Sequence, residues 1–479
     1  MRRFSAVLMM LVSLQVSAER PNVLLIYVDD LGLGDTAVYG HPIVETPNID
    51  RLAEQGVRFT HFYAPSALCS PSRAGLLTGR IPYRTGIKSW IPDGSSVSLD
   101  RSEITIAELL KDVGYRTAVI GKWHLNGGLD QQTAPQPRDF GFDHQYGLAA
   151  WVKNEQVEAA GRGKLFPDNM YRNNLPVGET DKFSAELVTD EALHWLDEPR
   201  GDQPFFLYLA YSEVHTPVAS PESYLEFYDQ FLTDEARENR WSYYMQWVDR
   251  PYRGQGEYYA NISYLDAQIG RIMTALEERK ILDSTVVIFS SDNGPLTSQA
   301  EMPWEIAMAG ETNGLRGKKR YLFEGGIRVP GIFRWPDKFP ASVVDTPATA
   351  LDILPTLLEI LDLDLPADRV IDGESLVSFL TEGVALQRKQ PLYWSIPTPD
   401  GLEFAVRDGD WKLLLNSEGA PVYLFDLRSD PYEILNQLTQ RPDMVARLQQ
   451  SFEQIHTSVL RDMANWTHDA TANQDAQQK

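Results

Sequence analysis

The sequence predicts an α/β protein: a large, mostly parallel sheet sandwiched by helices, with a smaller C-terminal α+β subdomain built on an antiparallel sheet. Three observations carry this reading. Short apolar runs rich in β-branched residues each close on a cluster of polar residues, as buried parallel strands do. Segments with apolar residues at helical spacing separate those runs. Beyond about residue 380 the texture changes to the alternation of antiparallel strands.

Taken in order, "PNVLLIYVDDLG" is a strand from Val23 to Val28 whose carboxyl end presents Asp29 and Asp30. A helix follows in "TPNIDRLAEQGVRF", and another in "ITIAELLKDVG". The run "GYRTAVIGKWHL" is a second strand ending at Lys122 and His124, and "PFFLYLAYSEVHTP" is a third with His215 just beyond it. The helix "YYANISYLDAQIGRIMTALEERK" leads to a fourth strand, "STVVIFSSDNG", which ends at Asp292, Asn293 and Gly294. In parallel α/β sheets ligands bind beyond the carboxyl ends of the strands, so these polar ends are expected to converge on one site. Toward the C-terminus, "LEFAVRDGDWKLLLN" and "PVYLFDL" read as antiparallel strands and "MVARLQQSFEQIHTSVL" as an amphipathic helix.

Bulk properties bound the function. The 479 residues, 43% hydrophobic, suffice for one large domain and an appendage. With 44 Lys and Arg against 67 Asp and Glu, the net charge of −23 argues against a nucleic-acid partner. Residues 1–18 hold Arg2 and Arg3, a short apolar run and then Ser17 and Ala18, the pattern of a secretory leader cleaved after Ala18. The expected organisation is therefore leader 1–18, main domain 19–380 and C-terminal subdomain 381–479, with no membrane span. One cysteine in an exported chain forbids an internal disulfide and points to a bacterial periplasm or the medium. The sequons at Asn261 and Asn465 are then incidental.

Asp29, Asp30, Asp292 and Asn293 offer hard oxygen donors without imidazole, a set suited to Ca2+ or Mg2+ rather than zinc. The single cysteine, Cys69, stands in what reads as a polar turn, where an exposed thiol in an oxidising compartment invites modification.

The string Cys69-Ser70-Pro71-Ser72-Arg73, followed by Ala74 to Gly79, resembles the signature of the formylglycine-dependent (type I) sulfatases of the alkaline-phosphatase-like superfamily. The likeness extends through "NVLLIYVDDLG", "TPNIDRLAEQGVRFTHFYA", "GKWHL", "SDNG", "LRGKKRYLFEGGIRVP" and "LDILPTLLE". It implies that a formylglycine-generating maturation enzyme converts Cys69 to 3-oxoalanine. It implies that Asp29, Asp30, Asp292, Asn293 and residue 69 hold one divalent cation, Ca2+ in this family, and that Arg73 fixes the aldehyde hydrate. One hydroxyl of that metal-bound hydrate attacks sulfur, and loss of the proton of the other expels inorganic sulfate. Lys122 and His124, two residues apart in a segment read as extended, would share a face, with Lys122 on the sulfate and His124 as base. His215 and Lys319 would hold the sulfate or protonate the leaving oxygen. "LRGKKRYLFEGG" offers Lys318 as well, and spacing to Glu324 favours Lys319. Lys318 and Arg320 otherwise read as solvated charges or substrate-side contacts, and the remaining histidines as structural or surface groups.

The substrate implied is a sulfated polysaccharide or oligosaccharide, a marine galactan such as carrageenan being preferred over a glycosaminoglycan. The aromatic stretch holding Trp241, Tyr243, Tyr244, Trp247, Arg250, Tyr252 and Arg253 reads equally as a glycan-lining wall or as the packed base of a loop. Residues 151–174 read as an insertion for substrate recognition. A phosphodiesterase or phosphonate monoester hydrolase of the same superfamily is the alternative activity.

Overall fold

A computed structural model describes residues 20–131, 133–149, 167–199, 201–216, 218–231, 255–296 and 310–463. The leader, residues 241–253 and residues 151–166 of the insertion lie outside the described residues. The main sheet contains β1 (Asn22–Val28), β2 (Val57–Tyr63), β3 (Arg116–Gly121), β4 (His144–Leu148), β5 (Met170–Arg172), β6 (Leu175–Pro176), β7 (Phe205–Tyr211), β8 (Thr285–Ser291), β9 (Arg328–Arg334), β10 (Ser342–Val344) and β11 (Ala348–Thr349). Their spatial order is β10-β2-β9-β8-β1-β7-β3-β4-β5-β6, with β11 also on β2.

Strand β1 is the centre of this order because every residue in it is apolar or inward-facing and buried. It pairs in parallel with β7, Val23 opposite Phe206, and with β8, Val23 opposite Val286. Its side chains alternate between two cores. Leu24, Ile26 and Val28 face the long helix Gln255–Glu278 through Ile262, Leu265 and Ile269. Val23, Leu25 and Tyr27 face Leu76, Leu110 and Ile353 on the other side. Helices therefore cover both faces, as the sequence predicts. The sheet is mixed at one point that matters: β9 runs antiparallel to both β2 and β8. Its amino end thus reaches the same edge as the carboxyl ends of β1, β3, β7 and β8, which brings the chain just before Arg328 to the site.

Close approach of β3 and β7 depends on Gly121, whose φ is +117. A Cβ there would lie 1.8 Å from the carbonyl oxygen of Ala210. Gly121→Ala is expected to cost about 4 kcal/mol or more, the range reserved for a main-chain clash with added backbone strain. Urea unfolding would show it, and a loss below about 1 kcal/mol would mean the two strands can separate there freely.

The C-terminal sheet is antiparallel, in the order β12 (Leu392–Ser395), β13 (Leu402–Asp408), β14 (Trp411–Asn416), β15 (Pro421–Asp426). One face packs Trp394, Ala405 and Leu414 on Tyr63, Leu68 and Phe323 of the main body. The other receives Phe452, Ile455 and Val459 of the amphipathic helix Pro442–Met463. A buried charge cluster reinforces the junction: Lys412 Nζ lies 2.9 Å from both Glu324 and Glu433, and Tyr63 donates to Glu324 at 2.6 Å. The small sheet therefore grips the segment that follows Lys319.

Candidate active site

Cys69 opens the helix Cys69–Thr78, every residue of which is buried. This corrects the reading of the cysteine as part of an exposed polar turn. Pro71 is tolerated in the first helical turn because the amides there lack intrahelical partners anyway. The polar side chains of the helix turn inward onto specific partners. Ser72 Oγ caps Ser66, accepting from its amide at 3.0 Å, and Ser70 Oγ accepts from the amide of Ile91 at 3.0 Å.

Arg73, one turn along, is completely buried among carboxylates. Its Nε and Nη2 donate to Asp292 Oδ2 at 3.0 and 2.7 Å, and Nη1 donates to the carbonyl of Lys122 at 3.0 Å. One guanidinium thereby joins the ends of β8 and β3. Lys122 Nζ donates to Asp29 Oδ2 at 2.6 Å, joining β3 to β1. Lys319, brought in ahead of the antiparallel β9, donates to both oxygens of Asp30 at 2.7 and 2.9 Å and to Cys69 Sγ at 3.2 Å. Lys318 instead donates to the carbonyl of Gly310. The ambiguity between the two lysines is thus resolved in space: Lys319 meets Cys69. Asn293 Nδ2 donates to Asp30 Oδ1 at 2.7 Å, and His215 Nε2 lies 3.8 Å from Asp30 Oδ2. Asp29, Asp30, Cys69 and His215 can place one ligand atom each within 4.8 Å of one another.

His124 sits differently from its expected place. Its φ is +57, so the chain turns there instead of running extended past Lys122. The two side chains line one cleft through that turn, which the i, i+2 argument did not foresee. His124 Nε2 lies 3.0 Å from the carbonyl oxygen of Ile91. A carbonyl only accepts, so Nε2 carries the proton and Nδ1 offers a lone pair. That Nδ1 is buried with no hydrogen-bond partner among the described residues. His215 is the mirror case: Nδ1 donates to the Thr216 carbonyl at 2.6 Å, leaving Nε2 toward the acidic cluster. Asp30 shares the left-handed backbone, φ +64. Such strain in non-glycine residues persists where surrounding structure enforces it, and it gathers at functional sites.

Burial and charge set the ionisation. Burial lifts the Cys69 thiol to about 12, against the pull of Lys122 and Lys319. Burial drives His124 well below the usual imidazole range, with Lys122 and Arg73 adding to the effect. His215 falls to about 4 through burial and then Lys319. Burial would raise Asp29, but Lys122, His215 and Arg73 overcome it and hold the group well below the usual carboxylate range. Its neighbour Asp292 moves the other way, up to about 7, through burial and repulsion from Asp29. Both imidazoles are thus neutral at pH 7.

The residues fit a hard divalent cation. Asp29 Oδ1 and Asn293 Oδ1 are buried oxygens with no hydrogen-bond partner, each beside an oxygen or nitrogen already committed elsewhere. Orphaned oxygen atoms of this kind are costly unless something cationic meets them.

The mixed sheet carries three carboxylates, three cationic side chains and a cysteine at its carboxyl edge, a charged centre suited to an anionic ester, and its fold is that of the alkaline-phosphatase-like hydrolases among solved structures. The chain belongs to the sulfatase family and is a sulfuric ester hydrolase: the Sulfatase family profile matches residues 21–363. A second profile, N-sulphoglucosamine sulphohydrolase, C-terminal, matches residues 315–458. The chain is similar to arylsulfatase A of Bos taurus, 32% identical over 92% of this chain and 87% of the relative. It is also similar to N-acetylgalactosamine-6-O-sulfatase of Bacteroides thetaiotaomicron, 29% identical over 92% of this chain and 94% of the relative. Among solved structures it resembles Ps i-CgsB in complex with k-i-k-neocarrahexaose, with TM-score 0.77, 25% identity, and 95% and 96% of the two chains covered. The family implies a metal and a formylglycine derived from the cysteine, consistent with the buried cluster around Cys69. No helix among the described residues is long and apolar enough to cross a membrane.

Three features of the site escaped sequence reading. Tyr208 steadies Arg73 Nη1 from 3.3 Å, the carbonyl of Ile91 sets the tautomer of His124, and Ser70 holds Ile91 in place. None carries a local signal, because each acts through a partner at least 21 residues away.

Proposed function

We propose that this chain desulfates a sulfated polysaccharide or oligosaccharide outside the cytoplasm, a carrageenan-type galactan being the preferred substrate, through formylglycine at position 69 and one Ca2+. The orphaned oxygens of Asp29 and Asn293 beside Cys69 are the observation that carries the reading. The relatives supply the substrate class: one is a galactosamine-6-O-sulfatase and another structure holds a neocarrahexaose. Asp29, Asp30, Asp292, Asn293 and residue 69 would hold the cation. When bound it supplies positive charge that favours ionisation of a hydroxyl on the modified side chain.

The charge count supports this chemistry. With Asp292 ionised, as it would be against a bound cation, Asp29, Asp30 and Asp292 contribute −3 against +3 from Arg73, Lys122 and Lys319, so these side chains balance one another. A divalent cation leaves two positive charges for an anionic ester and an ionised nucleophile. Arg73 orients Asp292, and Lys122 fixes Asp29 through Oδ2, leaving Oδ1 without a hydrogen bond and 3.8 Å from Arg73. Lys319, where burial opposes the charge but the combined attraction of Asp30, Cys69, Asp29 and Asp292 overcomes it and keeps the ammonium protonated, is placed to hold a sulfate oxygen or donate a proton to the departing alcohol. His215 faces the same cluster and shares that task. Neutral His124, with the lone pair on Nδ1, takes the proton whose loss releases sulfate from residue 69.

Mass spectrometry of the peptide bearing Cys69, joined to sulfate release from a panel of sulfated glycans, tests the reading. Oxoalanine and release from galactans are expected. An unmodified thiol in active protein would overturn the nucleophile, and faster turnover of phosphate than of sulfate esters would favour the phosphodiesterase or phosphonate hydrolase alternative. In His124→Ala a sulfated residue 69 is expected to accumulate after a burst of alcohol release; a variant with unslowed steady-state turnover would deny His124 its role.

A further inference from the structure

We propose that Trp90 and Arg320 form a subsite beside the reacting centre for a sulfated pyranose bearing a second anionic substituent, the indole stacking on the ring and the guanidinium pairing with that anion. The inference rests on the sulfate-ester reading above and gives it a recognition element.

Arg320 is tied to the chain just before the cysteine helix, and the neighbour of Trp90 is tied to the helix itself. Ser70 Oγ accepts from the amide of Ile91, and the carbonyl of Ile91 faces His124. Trp90, the residue before Ile91, is 41% exposed. That exposure leaves an indole face accessible, and a flat apolar ring with a polar edge is suited to stacking on a sugar ring. The amide of Arg320 donates to the carbonyl of Ala67 at 2.9 Å, and the residue before it, Lys319, touches Cys69 Sγ.

Arg320 is unusual in two independent ways. Its φ is +75, the left-handed region favouring glycine at the third position of a turn, here the turn closed by the amide of Tyr321 on the carbonyl of Lys318. Its half-buried side chain makes no hydrogen bond or ion pair with any described residue, in a chain of net charge −23. An always-charged fork kept at a strained position without a partner among the described residues is suited to bidentate recognition of a sulfate or carboxylate on the substrate. Lys319 meets the ester being cleaved, so the anion left for Arg320 is a second one.

The test compares a disulfated oligosaccharide with a monosulfated aryl ester on the mature enzyme. Arg320→Gly is expected to lower the ratio of kcat/KM for the disulfated substrate to that for the aryl ester by about tenfold or more, chiefly through KM. It should also unfold at an equal or higher temperature, because glycine relieves the positive φ. Trp90→Ala should raise KM for the oligosaccharide, with Trp90→Phe restoring much of the loss. A variant ratio equal to wild type, or a lowered Tm in Arg320→Gly together with equal losses on both substrates, would overturn the subsite and leave the sulfatase reading standing. Failure of the wild-type enzyme to release sulfate from any of these esters would overturn both.

Discussion

Cys69→Ala is expected to lower sulfate-ester turnover by about 10^4-fold or more while the chain stays folded, because the nucleophile is lost and nothing else in the site replaces it. The thiol cannot serve as it stands: burial lifts it to about 12, so at pH 7 it is protonated, and sulfur is a poor ligand for a hard cation. In the reading proposed above, conversion to an aldehyde hydrate would give an oxygen nucleophile and a way to expel sulfate afterwards. Structurally the sulfur is dispensable. Its polar neighbour, Lys319, keeps both oxygens of Asp30 when Sγ is removed. Deleting one buried sulfur costs about 1 kcal/mol. The pair of measurements is turnover and Tm; turnover within tenfold of wild type would move the chemistry away from residue 69.

Arg73→Ala is expected to cost about 3–5 kcal/mol of stability, the penalty for stranding buried charge, and to remove activity with it. The guanidinium is wholly buried, donates twice to Asp292 and lies 3.8 Å from Asp29. Without it, Asp292, already raised to about 7 by burial and Asp29, must rise further. A carboxyl whose folded pKa lies above its unfolded value binds protons more tightly when folded. Its contribution is present at low pH and is lost as pH rises from the ordinary carboxylate range through the folded value. In the variant that window extends higher. Measured in chelator, the Tm gap between wild type and Arg73→Ala should therefore widen from pH 5 to pH 8. A gap that is small or constant would show that Arg73 does not neutralise this carboxylate.

The parts of the site legible in the sequence are those that a strand end announces. Asp29 and Asp30 after β1, Lys122 after β3, and Asp292 with Asn293 after β8 each follow a fully buried run, and parallel pairing carries such ends to one edge. Lys319 was one of two adjacent lysines, favoured over Lys318 only by the family's spacing to Glu324. What separates them is the turn before β9, in which Lys319 faces Asp30 and Lys318 faces Gly310. The exposure of the cysteine was misread because "CSPSR" is polar by composition, whereas its helix turns those polar groups inward onto Ser66, Ile91 and Asp292.

The sequence alone determined the alternation of buried strands and helices, the antiparallel texture of the C-terminal sheet, the oxygen-rich character of the centre and the singularity of Cys69, because these follow from residue type and local periodicity. Tertiary structure decided which oxygens stay uncommitted among the described residues, which nitrogen of His124 carries the proton and which lysine meets the sulfur. Those choices are made by contacts between residues far apart in the chain, chiefly across the antiparallel β9 and the turn at His124, and no local pattern encodes them.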